Sequence, residues 1–93
     1  MNHYDTDKFV AQAQEKNIPL IDVRPAAMFA QGHIPGAINI PLADVDKAPI
    51  QSGSYLYCMT GYHAGLAKEA LAARGIAATD IGGMDYYTGP VEK

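Results

Sequence analysis

The stretch Ser54-Tyr55-Leu56-Tyr57-Cys58-Met59-Thr60-Gly61-Tyr62-His63-Ala64 decides how this chain folds. Ser54 to Tyr57 is short, aromatic and apolar, the pattern of a buried strand, and it runs straight into Cys58. Met59 to His63 then makes a tight loop. A helix is predicted over Ala64 to Arg74, with Leu66, Ala67, Ala70 and Leu71 as its apolar face, Arg74 in its last turn and Gly75 just past its end. A strand, a loop and a helix in that order are half of a parallel βαβ unit. Cys58 sits at the C-terminal end of the strand, the edge where open α/β sheets carry ligands and catalytic groups.

Working outward, the same alternation recurs. A first helix is predicted with Asp5 or Thr6 as N-cap, Asp7 in its first turn, Phe9, Val10 and Ala13 at helical spacing, and Asn17 as C-cap before Ile18-Pro19. Leu20-Ile21-Asp22-Val23 reads as a strand too apolar for a solvated edge. Pro25 opens a short helix, Ala26 to Ala30, closed by Gly32. The segment Gly32 to Pro41 is a turn followed by a second short strand, and Asp44 to Lys47 forms a single helical turn. Gln51-Ser52-Gly53 is a loop. A fourth strand, Thr79-Asp80-Ile81, ends at Gly82-Gly83, and the tail beyond Tyr87 is expected to fray. Strands alternating with helices give an α/β fold, a parallel sheet with helices on both faces. The chain carries no internal repeat and no linker, so residues 1–93 form one domain with its core over about 6–87.

Composition bounds the function. Of 93 residues, 48% are hydrophobic and 18% charged, which excludes a disordered chain. Seven basic against ten acidic residues leave a net charge of -3, and the basic residues (Lys8, Lys16, Arg24, Lys47, Lys68, Arg74, Lys93) are scattered. That disfavours a nucleic-acid partner, which needs a cationic stripe. No apolar run reaches the roughly 18 residues of a membrane span. The N-terminal Met-Asn-His-Tyr-Asp-Thr-Asp lacks the basic and apolar regions of an export signal, so the expected location is the cytoplasm. With Cys58 as its single cysteine, the chain can form neither an internal disulfide nor a thiolate-rich metal site. Sulfur chemistry at Cys58 must be completed by a second molecule.

The loop amides and the dipole of the following helix would favour a sulfur anion at Cys58, and Gly61 would let the backbone curl around it. Position alone leaves two readings open, a nucleophile or a small buried hydrophobe. The surrounding motifs decide between them. Leu-Ile-Asp-Val-Arg at 20–24, Gly-His-Ile-Pro-Gly-Ala-Ile-Asn-Ile-Pro-Leu at 32–42, Tyr-Cys-x-x-Gly at 57–61 and Gly-Gly at 82–83, in that order, closely resemble a single rhodanese domain from about Thr6 to Tyr87. The resemblance implies a doubly wound parallel sheet of about four to five short strands, with helices on both faces. It implies a sulfurtransferase in which Cys58 takes sulfane sulfur from a donor such as thiosulfate, polysulfide or a persulfide. A Cys58 persulfide then passes it to a thiol or cyanide-like acceptor. It also implies that Met59, Thr60, Gly61, Tyr62, His63 and Ala64 cradle the transferred group, with no metal or organic cofactor.

The chain departs from that family in the charge around its cysteine. An Arg directly after the cysteine and a second basic residue near the loop's end are common there; here they are Met59 and His63. Ala26-Ala27-Met28 stands where acidic residues are usual, and Tyr87 where a Trp is. Thiosulfate, a dianion, is therefore expected to be a poorer donor than polysulfide or a small persulfide. His63 reads as a titratable stand-in for the missing cation, or else as a solvated loop residue. His33 reads as a turn residue that pairs backbone polar groups. Asp22 and Arg24 read as strand-end charges that pair with each other or with neighbouring backbone, electrostatic support of the cysteine site by Arg24 being the second reading. A cysteine phosphatase needs Cys-x5-Arg, but the sixth residue after Cys58 is Ala64. The remaining alternatives are a non-catalytic binding module and a sulfur relay served by a partner protein, which would supply the orientation that loop charges do not.

Overall fold

A computed structural model describes residues 4–93. The first three residues, part of the N-terminal stretch read above for an export signal, lie outside the described residues. Helix α1 (Thr6–Lys16) ends where Asn17 turns left-handed, its N–H donating to the Ala13 carbonyl. Thr6 does not cap it. Its buried hydroxyl donates 2.6 Å to the Ile81 carbonyl, tying α1 to the far end of the chain. Strand β1 (Leu20–Asp22) and helix α2 (Ala26–Gln31) follow, with Pro25 as the N-cap of α2. Strand β2 is Ile38–Asn39, and a single helical turn covers Leu42–Asp44, two residues ahead of its expected start. Strand β3 (Ser54–Cys58), helix α3 (Tyr62–Ala73) and strand β4 (Ala78–Gly83) come next, and a second single helical turn, Met84–Tyr86, precedes the tail.

Among the described residues, four strands form one sheet in the order β2-β1-β3-β4, every pair parallel. Side chains alternate across it as strand geometry requires. Leu56 and Cys58 join Ile21 and Val23 beneath Ala64, Ala67 and Leu71 of α3. Tyr57 joins Leu20 and Ile81 beneath Val10 of α1. Both faces of the central strands are therefore dry, which is why Leu20 to Val23 reads as a continuous apolar run. Each fully buried Leu or Ile here contributes about 1.5–3 kcal/mol.

Helix α3 starts two residues earlier than predicted, directly after Gly61, which adopts a left-handed conformation at φ 100°. Its buried stripe is Ala64, Ala67 and Leu71, and Leu66 is instead 38% exposed. Ala64 and Ala67, the first two residues of that stripe, let the start of the helix sit close to β3, and Leu71 fills the core further along.

Two further expectations are corrected at the C-terminal side. Gly82 and Gly83 lie within β4, not past it. Between the pairs Leu56–Asp80 and Cys58–Gly83, β4 carries one extra residue, a bulge whose left-handed position is Gly82. The tail is also pinned, not frayed. His33 and Glu92 form an antiparallel bridge, each N–H donating to the other's carbonyl. Thr88 donates its N–H (2.9 Å) and its hydroxyl to the Asp7 carboxylate.

Those two Thr88 bonds hold the Asp7 carboxyl below its ordinary value. A lowered carboxylate stabilises the fold above its unfolded pKa, and that contribution is lost as the pH falls through the lower, folded value. The Thr88 amide should thus keep constant protection from pH 7 down to the ordinary carboxylate value, about pH 4, and lose it as the pH falls further through the lower, folded value. NMR-detected amide exchange on descending pH measures this, and protection unchanged at about pH 2 would remove Asp7 as the anchor.

Candidate active site

Cys58 is the last residue of β3, and its backbone pairs with Gly83 across the bulge. A Cβ on Gly83 would lie 2.3 Å from the Cys58 carbonyl oxygen and 2.4 Å from that of Met59, so only glycine allows this approach. The Asp85 N–H donates 3.0 Å to the Met59 carbonyl and fixes the loop from the same side. The thiol is 1% exposed, and its Sγ accepts the Gly61 N–H at 3.0 Å. The Tyr62 N–H turns to the Thr60 hydroxyl oxygen at 3.3 Å. Ala64 is buried under the loop, Met59 is half-buried, and Thr60, Tyr62 and His63 are exposed, Tyr62 by 68%. The rings of Tyr62 and His63 meet edge to face, 5.3 Å apart.

The sequence-stretch residues outside the loop divide by position. Asp22 is completely buried and accepts four bonds from Arg24: the backbone N–H at 2.8 Å, Nε at 3.1 and 3.0 Å, and a terminal nitrogen at 2.7 Å. The same terminal nitrogen donates to the Gly32 carbonyl. Burial alone would lower the Arg24 guanidinium, but the Asp22 carboxylate overrides it and holds it above its ordinary value. The pair thus braces the end of β1 against the turn at Gly32. The ring of His33 stacks on Phe29 at 3.7 Å, and its Nδ1 lies 3.0 Å from the Phe29 carbonyl. Its Nε2 faces Glu92 at 3.7 Å. These contacts give His33 the turn-holding place read from its sequence.

A cavity of about 660 Å³ opens beside the loop. Its wall comes from Val23, Arg24 and Pro25 after β1, Met28 of α2, Pro41, Leu42 and Ala43, and Met59 of the loop with His63 in the first turn of α3. A smaller cavity of about 270 Å³ lies at the opposite end of β1, between Asn17, Leu20 and Pro35.

Tyr4 and Asp80 belong to this neighbourhood without any local sequence signal. The Tyr4 ring covers Gly61, where a Cβ would meet it at 2.7 Å, and also covers Gly82. Its hydroxyl donates to Asp80 at 3.3 Å. Burial first, then the Asp80 charge, raises the Tyr4 phenol, with Cys58 adding to the effect. Burial likewise raises the Asp80 carboxyl, against the lowering effect of the Gly82 N–H and the Tyr4 hydroxyl. What the arrangement offers chemically is a sulfur at a strand end, met by an amide donor and followed at once by a helix N-terminus. Both stabilise negative charge.

A family model described as Rhodanese-like domain matches residues 5–88. The thiosulfate sulfurtransferase PspE of Escherichia coli K12 is 39% identical over 61 residues, 59% of each chain. A tRNA sulfurtransferase of Thermoplasma acidophilum is 31% identical over 74 residues, 78% of this chain and 15% of that one. This chain spans less than half the length of several curated relatives it matches, 9% in one and 45% in another. Among solved structures, a rhodanese with anions from E. coli superposes with a TM-score of 0.71 at 34% identity, over 81% of this chain and 96% of that one.

Proposed function

The chain belongs to the rhodanese-like domain family, and on that premise we propose that it is a sulfurtransferase working through a Cys58 persulfide. The observation that carries the reading is the Gly61 N–H donated at 3.0 Å to a sulfur at the end of β3, directly before α3. The Cys58 thiolate attacks the outer sulfur of a donor. A bond forms from Sγ to that sulfur as the donor's own S–S bond breaks, and the leaving group departs with the electron pair (sulfite, when the donor is thiosulfate). An acceptor then attacks the outer sulfur and the pair returns to Sγ. Cyanide would leave as thiocyanate, a thiolate as its hydropersulfide. The chemistry requires a reduced thiol, which fits a cytoplasmic setting.

The loop offers its donor no fixed cation, because Met59 follows the cysteine and His63 is the only ionisable side chain between Met59 and Ala64 other than the Tyr62 phenol. Polysulfide should therefore load Cys58 faster than thiosulfate does. Intact-protein mass spectrometry after exposure to each donor tests this. One added sulfur atom, removable by a thiol and absent in Cys58→Ser, is the expected result. His63→Arg should raise the thiosulfate loading rate about three- to tenfold, through a charge-assisted contact at an exposed site. If neither donor modifies the wild type, the reading fails.

A further inference from the structure

We propose that the cavity beside the Cys58 loop binds the apolar body of a small neutral thiol, which is the sulfur acceptor; this rests on the sulfurtransferase reading above. Three observations meet there. The cavity shares Met59 and His63 with the loop, and its Val23 wall packs in the same buried cluster as Cys58. Its volume of about 660 Å³ lies within the ordinary range of small-molecule sites, roughly 300–1,000 Å³. Apart from Arg24 and His63 its lining is apolar, Met28, Leu42 and Met59 included, and thioether side chains adapt readily to the shape of an occupant.

Charge then narrows the occupant. The fixed cation in the wall, Arg24, is paired with Asp22 and bonded to the Gly32 carbonyl. The pair is neutral as a unit. An anionic acceptor would give up hydration here without a free counter-charge, whereas an alkyl or aryl body gains by leaving water. With such an acceptor, the thiol gives its proton to solvent at the cavity mouth as its apolar body seats, and RS⁻ attacks the outer sulfur of Cys58–S–SH. The RS–S bond forms, the bond to Sγ breaks, and its electron pair stays on Sγ. The products are RS–SH and the free thiolate, so no oxidant or reductant is consumed.

The test uses the full chain loaded with polysulfide and freed of excess donor. Loss of the extra sulfur is followed by intact mass with ethanethiol, butanethiol, hexanethiol and glutathione. The straight-chain thiols present the same reacting group, so their rates separate burial from nucleophilicity. The rate constant should climb about two- to fourfold per added methylene until the cavity fills. Glutathione should trail hexanethiol more than tenfold. Leu42→Glu and Met28→Glu should each flatten the series, a ratio measured on whatever fraction is loaded. A second arm needs no chemistry: hexanol, but not ethanol at equal concentration, should shift the Met28 and Met59 methyl resonances saturably. A flat thiol series in loaded wild type, a slope equally steep in both variants, or unmoved methyl resonances would overturn the proposal. Absence of any loaded Cys58 counts against the sulfurtransferase reading instead, and the alcohol arm then decides for or against the cavity by itself.

Discussion

Replacing Asp22 by alanine is expected to cost about 3–5 kcal/mol of folding stability, a large share of the roughly 5–15 kcal/mol that holds a domain folded. Asp22 is completely buried on a central strand, and Arg24 is 6% exposed. In the native protein the carboxylate accepts the Arg24 backbone N–H as well as the guanidinium. The truncation therefore leaves a desolvated cation facing a void and orphans a backbone donor, and the Gly32 carbonyl alone cannot satisfy both. Attraction between the charges is not the source of this cost. Desolvation offsets most of what a buried pair gains, so Asp22→Leu combined with Arg24→Met should recover much of the loss. Urea denaturation of the two single variants and the double variant measures the difference. A single-variant cost below about 1 kcal/mol would mean that water reaches the pair and that it does not brace β1.

The relation between this pair and the cavity has a consequence for specificity. Arg24 lines the cavity beside the loop, yet it is committed to the fold. A sequence that places Met59 after the cysteine, Met28 in α2 and a paired arginine in the wall presents apolar surface there and no free arginine.

Much of this was legible from sequence because it is local. The buried run at 20–23, the end of α1 at Asn17 and the position of Cys58 at a strand end each follow from neighbours within a few residues. The Asp22–Arg24 pairing was legible for the same reason, being two residues apart. What escaped was long-range. The bonds from Tyr4 to Asp80 and from Asp7 to Thr88 join opposite ends of the chain, and no local pattern announces them. The tail, polar and short, reads as frayed until Glu92 finds His33. Leu66 misled because the periodicity of α3 fits two adjacent stripes, and only the close approach to β3 selects the alanine one. The cavity itself is built from four separate segments, so composition of no single one reveals it.

Gly83 is where the long-range and local parts of the site meet, and Gly83→Ala should be the most damaging single methyl in the molecule. Its backbone is extended (φ 175°), so alanine meets no conformational strain there. The obstacle is contact alone. The added carbon would sit 2.3–2.5 Å from the Cys58 and Met59 carbonyl groups, which are backbone and cannot rotate away as a side chain would. Either β4 separates from β3 at the bulge or the Cys58–Met59 peptide is pushed into the loop. The first outcome costs about 3 kcal/mol or more as overpacking. The second displaces Sγ from the Gly61 N–H and should slow polysulfide loading more than tenfold even in the folded fraction. Gly65→Ala is the matched comparison: its new carbon would meet Asp80 at 3.4 Å, an ordinary contact, inside α3. That change should stabilise the protein by about 0.5–1 kcal/mol. Thermal melts and loading rates on the two variants separate a general intolerance of added carbon from a specific demand at the Cys58 carbonyl. Equal effects at Gly83 and Gly65 would refute that demand, because it requires them to differ in sign.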